Sequence, residues 1–348
     1  MNPSPRTTSA RALVVMGSTA ARAHLVRVLE ADADIVVVGE ATSGADAVLR
    51  AVELRPDIII VDLYLPDGGG RVVIAQIMAR VPTPILVLSR TTDDDRSPSV
   101  VEALVAGALD ALPQPRWWTP DLAGQLCRSV RLLRKVPVMR VPEGSRRPVT
   151  VAPSPHTQAA AHQTVAIAAS TGGPSALAIV LSGLGGLASP VLVVQHLHPE
   201  FTSGLIAWMS RVSALPVELA QHGLDTRPGR VYVAPGGVHL RIAADGRLEL
   251  DPAPVTTHRP SADELFLSVA KHVGAAATGV VLTGMGDDGA KGLLAIRQNG
   301  GRTLAQDEAS SAVFGMPAAA RRLGAVTDML PPAGLARAIM HASRNGRR

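Results

Sequence analysis

Three residues in the second half of the chain have the types that nucleophilic catalysis requires. Ser170 follows the apolar run Val165–Ala169 and precedes Thr171-Gly172-Gly173-Pro174. A serine at such a turn points out of the carboxyl edge of a sheet. The glycines admit close backbone approach, and the N–H groups that open the next helix face a developing oxyanion. Taken alone, the segment reads equally well as a phosphate-binding glycine turn or a plain helix cap. It is not the G-x-S-x-G elbow, because Ala168 fills the first glycine place. His196 closes the run Val191–Gln195, where a lone histidine is more often a hydrogen-bonded structural residue. Asp288 lies in Thr283-Gly-Met-Gly-Asp-Asp-Gly289, after the run Gly279–Leu282, and an Asp-Gly turn or a cap for a helix over Ala290–Gln298 is the ordinary reading there. A nucleophile, an imidazole and a carboxylate that each end a buried parallel strand converge on one crevice, and that convergence favours catalysis. The imidazole takes the serine proton, and the carboxylate orients the ring and stabilises its charged form. His162, His198, His222, His239, His258 and His272 fall in loops, hairpins or helix ends and are poorer candidates. None of them shows metal-ligand spacing with an acid, so no zinc is expected.

Positioning these groups takes α/β architecture. In the first half, apolar runs at Ala12–Met16, Asp34–Val38, Asp57–Leu63, Pro84–Ser89 and Leu109–Leu112 alternate with helical patterns at Ala20–Glu30, Ala45–Leu54, Val72–Ala79, Ser97–Ala106 and Pro120–Leu133. Five β-then-α units of this size predict a doubly wound parallel sheet with its functional groups at the carboxyl ends of the strands. A proline-rich, basic stretch (Val136–Gln163) then reads as a linker. Beyond it, Val165–Ala169, Val191–Gln195 and Gly279–Leu282 read as buried strands and Ser175–Leu184 as a helix. Ser261-Ala-Asp-Glu264 is a capping box opening a helix to about His272. Arg230–Val233, Val238–Ile242 and Arg247–Leu250 read as hairpin strands around Pro235-Gly236-Gly237 and Asp245-Gly246. The expected domains are 11–135, a linker at 136–163, and 164–345.

Composition narrows the classes further. With 348 residues, 47% hydrophobic, the chain can bury two cores of ordinary size. The net charge of +5 comes from scattered arginines, and only 2% of residues are aromatic, which leaves little to stack bases on. No nucleic-acid partner is expected. The single cysteine, Cys127, cannot form an intramolecular disulfide, which fits a cytoplasmic protein. Ala176–Val194 is strongly apolar but broken by Gly183, Gly185, Gly186, Ser189 and Pro190, so it reads as a buried helix, turn and strand and not as a membrane span.

The second half resembles a known family. Val165-Ala-Ile-Ala-Ala-Ser-Thr-Gly-Gly-Pro174, Val194-Gln-His196 with Phe201-Thr202, Val231-Tyr-Val-Ala-Pro-Gly-Gly237, His258-Arg-Pro-Ser-Ala-Asp263, Leu282-Thr-Gly-Met-Gly-Asp-Asp-Gly-Ala290 and Ala305-Gln-Asp-Glu-Ala-Ser-Ser-Ala-Val-Phe-Gly-Met-Pro317 are similar, in order, to the catalytic domain of the chemotaxis protein-glutamate methylesterases (CheB). The resemblance implies hydrolysis of glutamate γ-methyl esters on chemoreceptors, with methanol released, and deamidation of receptor glutamines, without a cofactor. It places the family's serine, histidine and aspartate on Ser170, His196 and Asp288. It also assigns the Met285 backbone N–H to the oxyanion hole and Thr171 to support of the histidine. Asp287 is then a turn residue.

The first half resembles the phosphoacceptor receiver domain, which implies a histidine kinase as partner. Asp62, before Leu65-Pro66-Asp67-Gly68, falls on the phosphorylated aspartate, and Ser89 on the switch hydroxyl. Two departures stand out. Met16-Gly17 replaces the acidic pair that holds Mg²⁺, and Gln114-Pro115 stands where a lysine should precede the proline. Met and Gly side chains offer no carboxylate oxygens, and Gln114 offers no cation to pair with a phosphoryl group. An intact receiver fold with impaired chemistry is expected, unless Asp67 or Glu40 takes over the metal site. Two other classes remain in view: a non-catalytic interaction protein that keeps both folds, and a DNA-binding response regulator, which would need a helix-turn-helix where parallel strands are expected.

Overall fold

Runs of β-branched and aliphatic residues bounded by Gly, Pro and Asp build the strands, and their burial on both faces is what a parallel sheet covered by helices demands. The computed structural model describes residues 9–66, 69–90, 100–138 and 163–345. Its contacts divide the chain into two units, Met1–Arg146 and Arg147–Arg348. Residues 139–162, most of the expected linker, lie outside the described residues, as does the start of the helix expected from Ser97.

In the first unit, β1 (Ala10–Val15), α1 (Thr19–Glu30), β2 (Ile35–Ala41), α2 (Gly44–Leu54), β3 (Ile58–Asp62), α3 (Gly70–Arg80), β4 (Ile85–Ser89), α4 (Val100–Ala106), β5 (Asp110–Pro113) and α5 (Pro120–Leu133) follow in turn. The sheet is parallel throughout, in the order β2-β1-β3-β4-β5. Strand order reverses between β1 and β3, so their carboxyl ends open a crevice at the switch point. Every residue of β3 and β4 is buried.

The second unit begins with β6 (Thr164–Ala169), α6 (Gly173–Ser182), β7 (Val191–Gln195), α7 (Thr202–Val212), β8 (Val217–Leu219) and β9 (Val231–Val233). A hairpin of β10 (His239–Ile242) and β11 (Leu248–Asp251) comes next. It is followed by α8 (Ala262–His272), β12 (Ala277–Val281), α9 (Ala290–Gln298), β13 (Arg302–Gln306), α10 (Met316–Arg322), β14 (Asp328–Leu330) and α11 (Pro332–Asn345). Seven parallel strands run in the order β14-β13-β12-β6-β7-β9-β8. From β6 the chain winds outward through β7 to β8 and β9, then returns to add β12 on the other side. The switch point therefore lies at β6, between β7 and β12. These three strands carry Ser170, His196 and Asp288 at or beyond their carboxyl ends.

One strand assignment needs correction. Arg230–Val233 does not pair with Val238–Ile242: β9 lies inside the main sheet, parallel to β7 and β8. The antiparallel hairpin is β10 with β11, turning at Asp245-Gly246. Pro235-Gly236-Gly237 looks like a hairpin turn but leads out of the sheet. Gly236 is needed there because a Cβ would lie 2.5 Å from Pro199 Cα.

Candidate active site

Ser170 and His196 are neighbours by register. Ala169 pairs with Gln195, and the His196 N–H donates to the Ala169 carbonyl at 2.9 Å. Each residue is one step past its strand, so their backbones are separated by about the interstrand spacing of 5 Å. Gln195 locks the pair, because its Nε2 donates to the carbonyls of Ser170 (2.8 Å) and His196 (3.0 Å). Gly172, in the left-handed region at φ +77°, lets the chain turn from Ser170 into α6, whose N-terminus has no side-chain cap.

Asp288 is held from two sides. Its Oδ2 lies 2.8 Å from His196 Nε2 and accepts from the Ala262 N–H at 2.8 Å. Its Oδ1 accepts from Ser261 Oγ (2.8 Å) and the Asp263 N–H (2.9 Å). All four acceptor positions of the carboxylate are filled, two of them by the N-terminal amides of α8, where a negative charge is favoured. Burial alone would raise this carboxyl's pKa. The hydrogen bond and charge of His196, followed by the Asp263 and Ala262 amides, outweigh it and hold the group well below the usual carboxylate range. An ionised Asp288 can only accept, so His196 Nε2 carries the proton and Nδ1 is the basic nitrogen. Nδ1 is buried and has no hydrogen-bond partner. Asp287, beside it, is exposed, and its carbonyl accepts from the Ala290 N–H in the turn.

Thr283 rivets the surrounding loops. Its Oγ1 contacts the carbonyls of Thr171 (2.9 Å) and Val313 (3.2 Å) and the Val313 N–H (2.9 Å), while its own N–H donates to Gln306 Oε1 at 2.8 Å. Met285 sits in this loop between Gly284 and Gly286. A Cβ on Gly284 would come within 2.7 Å of Ser170 Cβ, so the serine and the Met285 loop approach as closely as glycine permits. Thr171 is buried, with its carbonyl held by Thr283. Because Nδ1 of His196 is unpartnered, the support expected from Thr171 does not take the form of a hydrogen bond to that nitrogen.

His258, ranked low from its position in a loop, stacks on His196 with ring centroids 4.2 Å apart and planes 6° from parallel. His196, His258 and Asp288 bring one ligand atom each within 4.8 Å of one another, a proximity that sequence spacing did not foretell. Two nearly parallel, stacked rings cannot both aim in-plane lone pairs at one ion, and the Asp288 oxygens are already engaged. The arrangement suits a hydrogen-bonded stack better than chelation.

In the receiver-like unit, Asp62 ends β3, 3% exposed, with Oδ1 accepting from the Tyr64 N–H at 2.9 Å. Burial raises its pKa against the lowering effects of that hydrogen bond and of Arg90. Ser89 ends β4, buried, with its Oγ 3.5 Å from the Arg90 carbonyl. Mg²⁺, which a receiver implies, does not fit the donors that the described residues place here. Met16 contributes a thioether, which Gln114 Nε2 contacts at 3.9 Å. The Met16 carbonyl already accepts from Arg22 Nη1 at 2.9 Å, and Arg22 Nε also holds Glu40 at 2.9 Å. Arg22 thus engages the Met16 carbonyl and Glu40, the Met16 and Gly17 side chains offer Asp62 no companion carboxylate, and Mg²⁺ demands an octahedron of hard oxygens. Asp67 lies outside the described residues.

Residues 165–339 match the family described as CheB methylesterase, and residues 12–116 match the response regulator receiver domain. The protein-glutamate methylesterase/protein-glutamine glutaminase 2 of Anaeromyxobacter dehalogenans is 46% identical over 96% of this chain and 97% of its own. A counterpart numbered 3 from Myxococcus xanthus is 41% identical over 95% of this chain and 93% of its own. The crystal structure of the Thermotoga maritima CheB methylesterase catalytic domain superposes with a TM-score of 0.51 at 33% identity, covering 52% of this chain and 99% of that one.

Proposed function

The chain belongs to the CheB methylesterase family, and from that premise we propose that it hydrolyses glutamate γ-methyl esters on chemoreceptor proteins and deamidates receptor glutamines, with Ser170 as nucleophile. The observation that carries this reading is the His196–Asp288 pair. Nε2–H is committed to an ionised carboxylate, and a basic, unpartnered Nδ1 is left one register step from Ser170. Nδ1 takes the Ser170 proton as Oγ adds to the ester carbonyl. The oxyanion faces the Met285 N–H. Collapse expels methanol, or ammonia from an amide, protonated from Nδ1. Water, deprotonated by the same nitrogen, then releases the glutamate and restores the serine. No step calls for a metal or an organic cofactor.

The site is framed by small residues, Thr171–Pro174, Gly284–Gly289 and Gly315–Pro317, which fits a side chain presented on a receptor helix. A single cysteine, which can form no intramolecular disulfide, fits the cytoplasm as the working compartment on this reading. In the receiver, a histidine kinase is the partner the fold calls for, yet transfer to Asp62 is impaired by the donors at Met16, Gly17 and Gln114. A serine-directed fluorophosphonate tests the nucleophile. It should label Ser170 in the wild type and fail on His196→Ala, and labelling that is indifferent to His196 would favour a non-catalytic interaction protein.

A further inference from the structure

We infer that His258 is a positioning residue for the hydrolysis, an aromatic ring that clamps the plane of His196 by stacking on its face. The inference rests on the esterase reading of His196. A single hydrogen bond from Nε2 to Asp288 fixes one end of the imidazole but leaves the ring free to pivot about that contact. The unpartnered Nδ1 is the atom such a pivot would misdirect. A second ring, 4.2 Å away and 6° from parallel, blocks that rotation. Offset stacking of this kind is favourable in its own right.

The clamp is itself anchored. His239, with no exposed surface, accepts the Ser261 N–H on Nδ1 (3.1 Å), which leaves Nε2–H to donate to the Pro254 carbonyl at 2.8 Å. One buried imidazole thereby pins both ends of the loop that carries His258. Within it, Thr256 Oγ1 donates to the His258 carbonyl (2.6 Å) and the Gly237 N–H to the Arg259 carbonyl (3.0 Å). The same loop runs into Ser261, Ala262 and Asp263, which hold Asp288, so one segment fixes both the acid and the plane of the base. Burial, and then the nearby His196, push the pKa of His258 down, against the smaller opposing pull of Asp288 and Asp287. A neutral ring there can face the imidazolium that forms when Ser170 gives up its proton, without placing two cations in contact.

The test is steady-state methanol release by full-length His258→Ala and His258→Phe. Misdirecting a reacting group by a fraction of an ångström lowers turnover and not substrate binding. His258→Ala should therefore lose about 10- to 100-fold in kcat with KM changed less than about twofold. Phe restores a flat ring with no titrating nitrogen, so His258→Phe should recover kcat to within about threefold of wild type. An active wild type whose His258→Ala variant keeps full kcat would overturn the inference. So would a His258→Phe as damaged as the alanine variant, since His258 would then act through a nitrogen. An inactive wild type would instead tell against the esterase reading itself.

Discussion

At the residue scale the energetics centre on Asp288. Its four hydrogen bonds, each to a charged acceptor, contribute about 1.5–3 kcal/mol apiece before the cost of burying the charge. Its carboxyl ionises more readily folded than unfolded. The stabilisation is therefore fully present above the unfolded value near 3.9 and is lost as pH falls through the depressed folded value. Asp288→Asn should be less stable than wild type at pH 7 in urea melts, with the gap narrowing steadily below about pH 4. Its turnover should drop by about 10⁴-fold, because an amide cannot hold the proton on Nε2, while the exposed Asp287→Asn should stay near wild type. The reverse ranking would assign the acid to the wrong member of the pair. Ser170, His196 and Asp288 were legible as residues beyond the strand ends, because each follows an apolar run. Gln195, Thr283, Gln306, His239 and His258 were not. What they do depends on contacts between loops far apart in sequence, and nothing in their own neighbourhoods marks it.

At the element scale, the N-terminus of α8 is the part of the fold that does most for the site. The sequence marks it as a capping box, and Ser261 Oγ does accept from the Glu264 N–H at 3.5 Å. The pattern says nothing of its second duty, donating to Asp288 across the crevice. Ser261→Ala should cost about 1–2 kcal/mol in stability, as loss of a cap does. It should reduce methanol release far less than Asp288→Asn, since the Ala262 and Asp263 amides still grip the carboxylate. A loss as deep as that of Asp288→Asn would mean that the hydroxyl, and not the helix end, holds the acid. Periodicity gave the ten elements of the receiver-like unit to within a few residues. It failed at β9 because three residues buried on both faces show no alternation, and a Pro-Gly-Gly turn follows them. Short edge strands such as β8 and β14 carry too few apolar residues to be read at all.

On the scale of the whole chain, two units of one architectural style have taken different courses. Both place their key residues at a switch point of a parallel sheet. In the second, Ser170, His196 and Asp288 are brought to one edge of the sheet. In the first, Asp62 ends β3, while Met16 and Gln114 contact each other and Arg22 takes the Met16 carbonyl. A ligand shifts an equilibrium only by its differential affinity for the two states. With no carboxylate at Met16-Gly17 and Gln114 in place of a lysine to grip a phosphoryl group, little differential is expected. A small phosphodonor with Mg²⁺ should accordingly leave methanol release by the full-length protein unchanged and Asp62 unlabelled. Stoichiometric Mg²⁺-dependent labelling with a matching rise in activity would show that other acids have rebuilt the metal site. The order of the receiver and methylesterase domains could be read from the chain itself. The guanidinium that takes the Met16 and Glu40 oxygens could not, since Arg22 lies on a helix that the sequence only shows to be amphipathic.

The central claim is that Ser170 hydrolyses receptor glutamyl esters, and methanol release from methylated chemoreceptor membranes tests it most directly. Wild-type protein should release methanol steadily, and Ser170→Ala, with its fold unchanged by circular dichroism, should fall by at least about 10³-fold. Release by Ser170→Ala at the wild-type rate, or none from a folded wild type, would contradict the account.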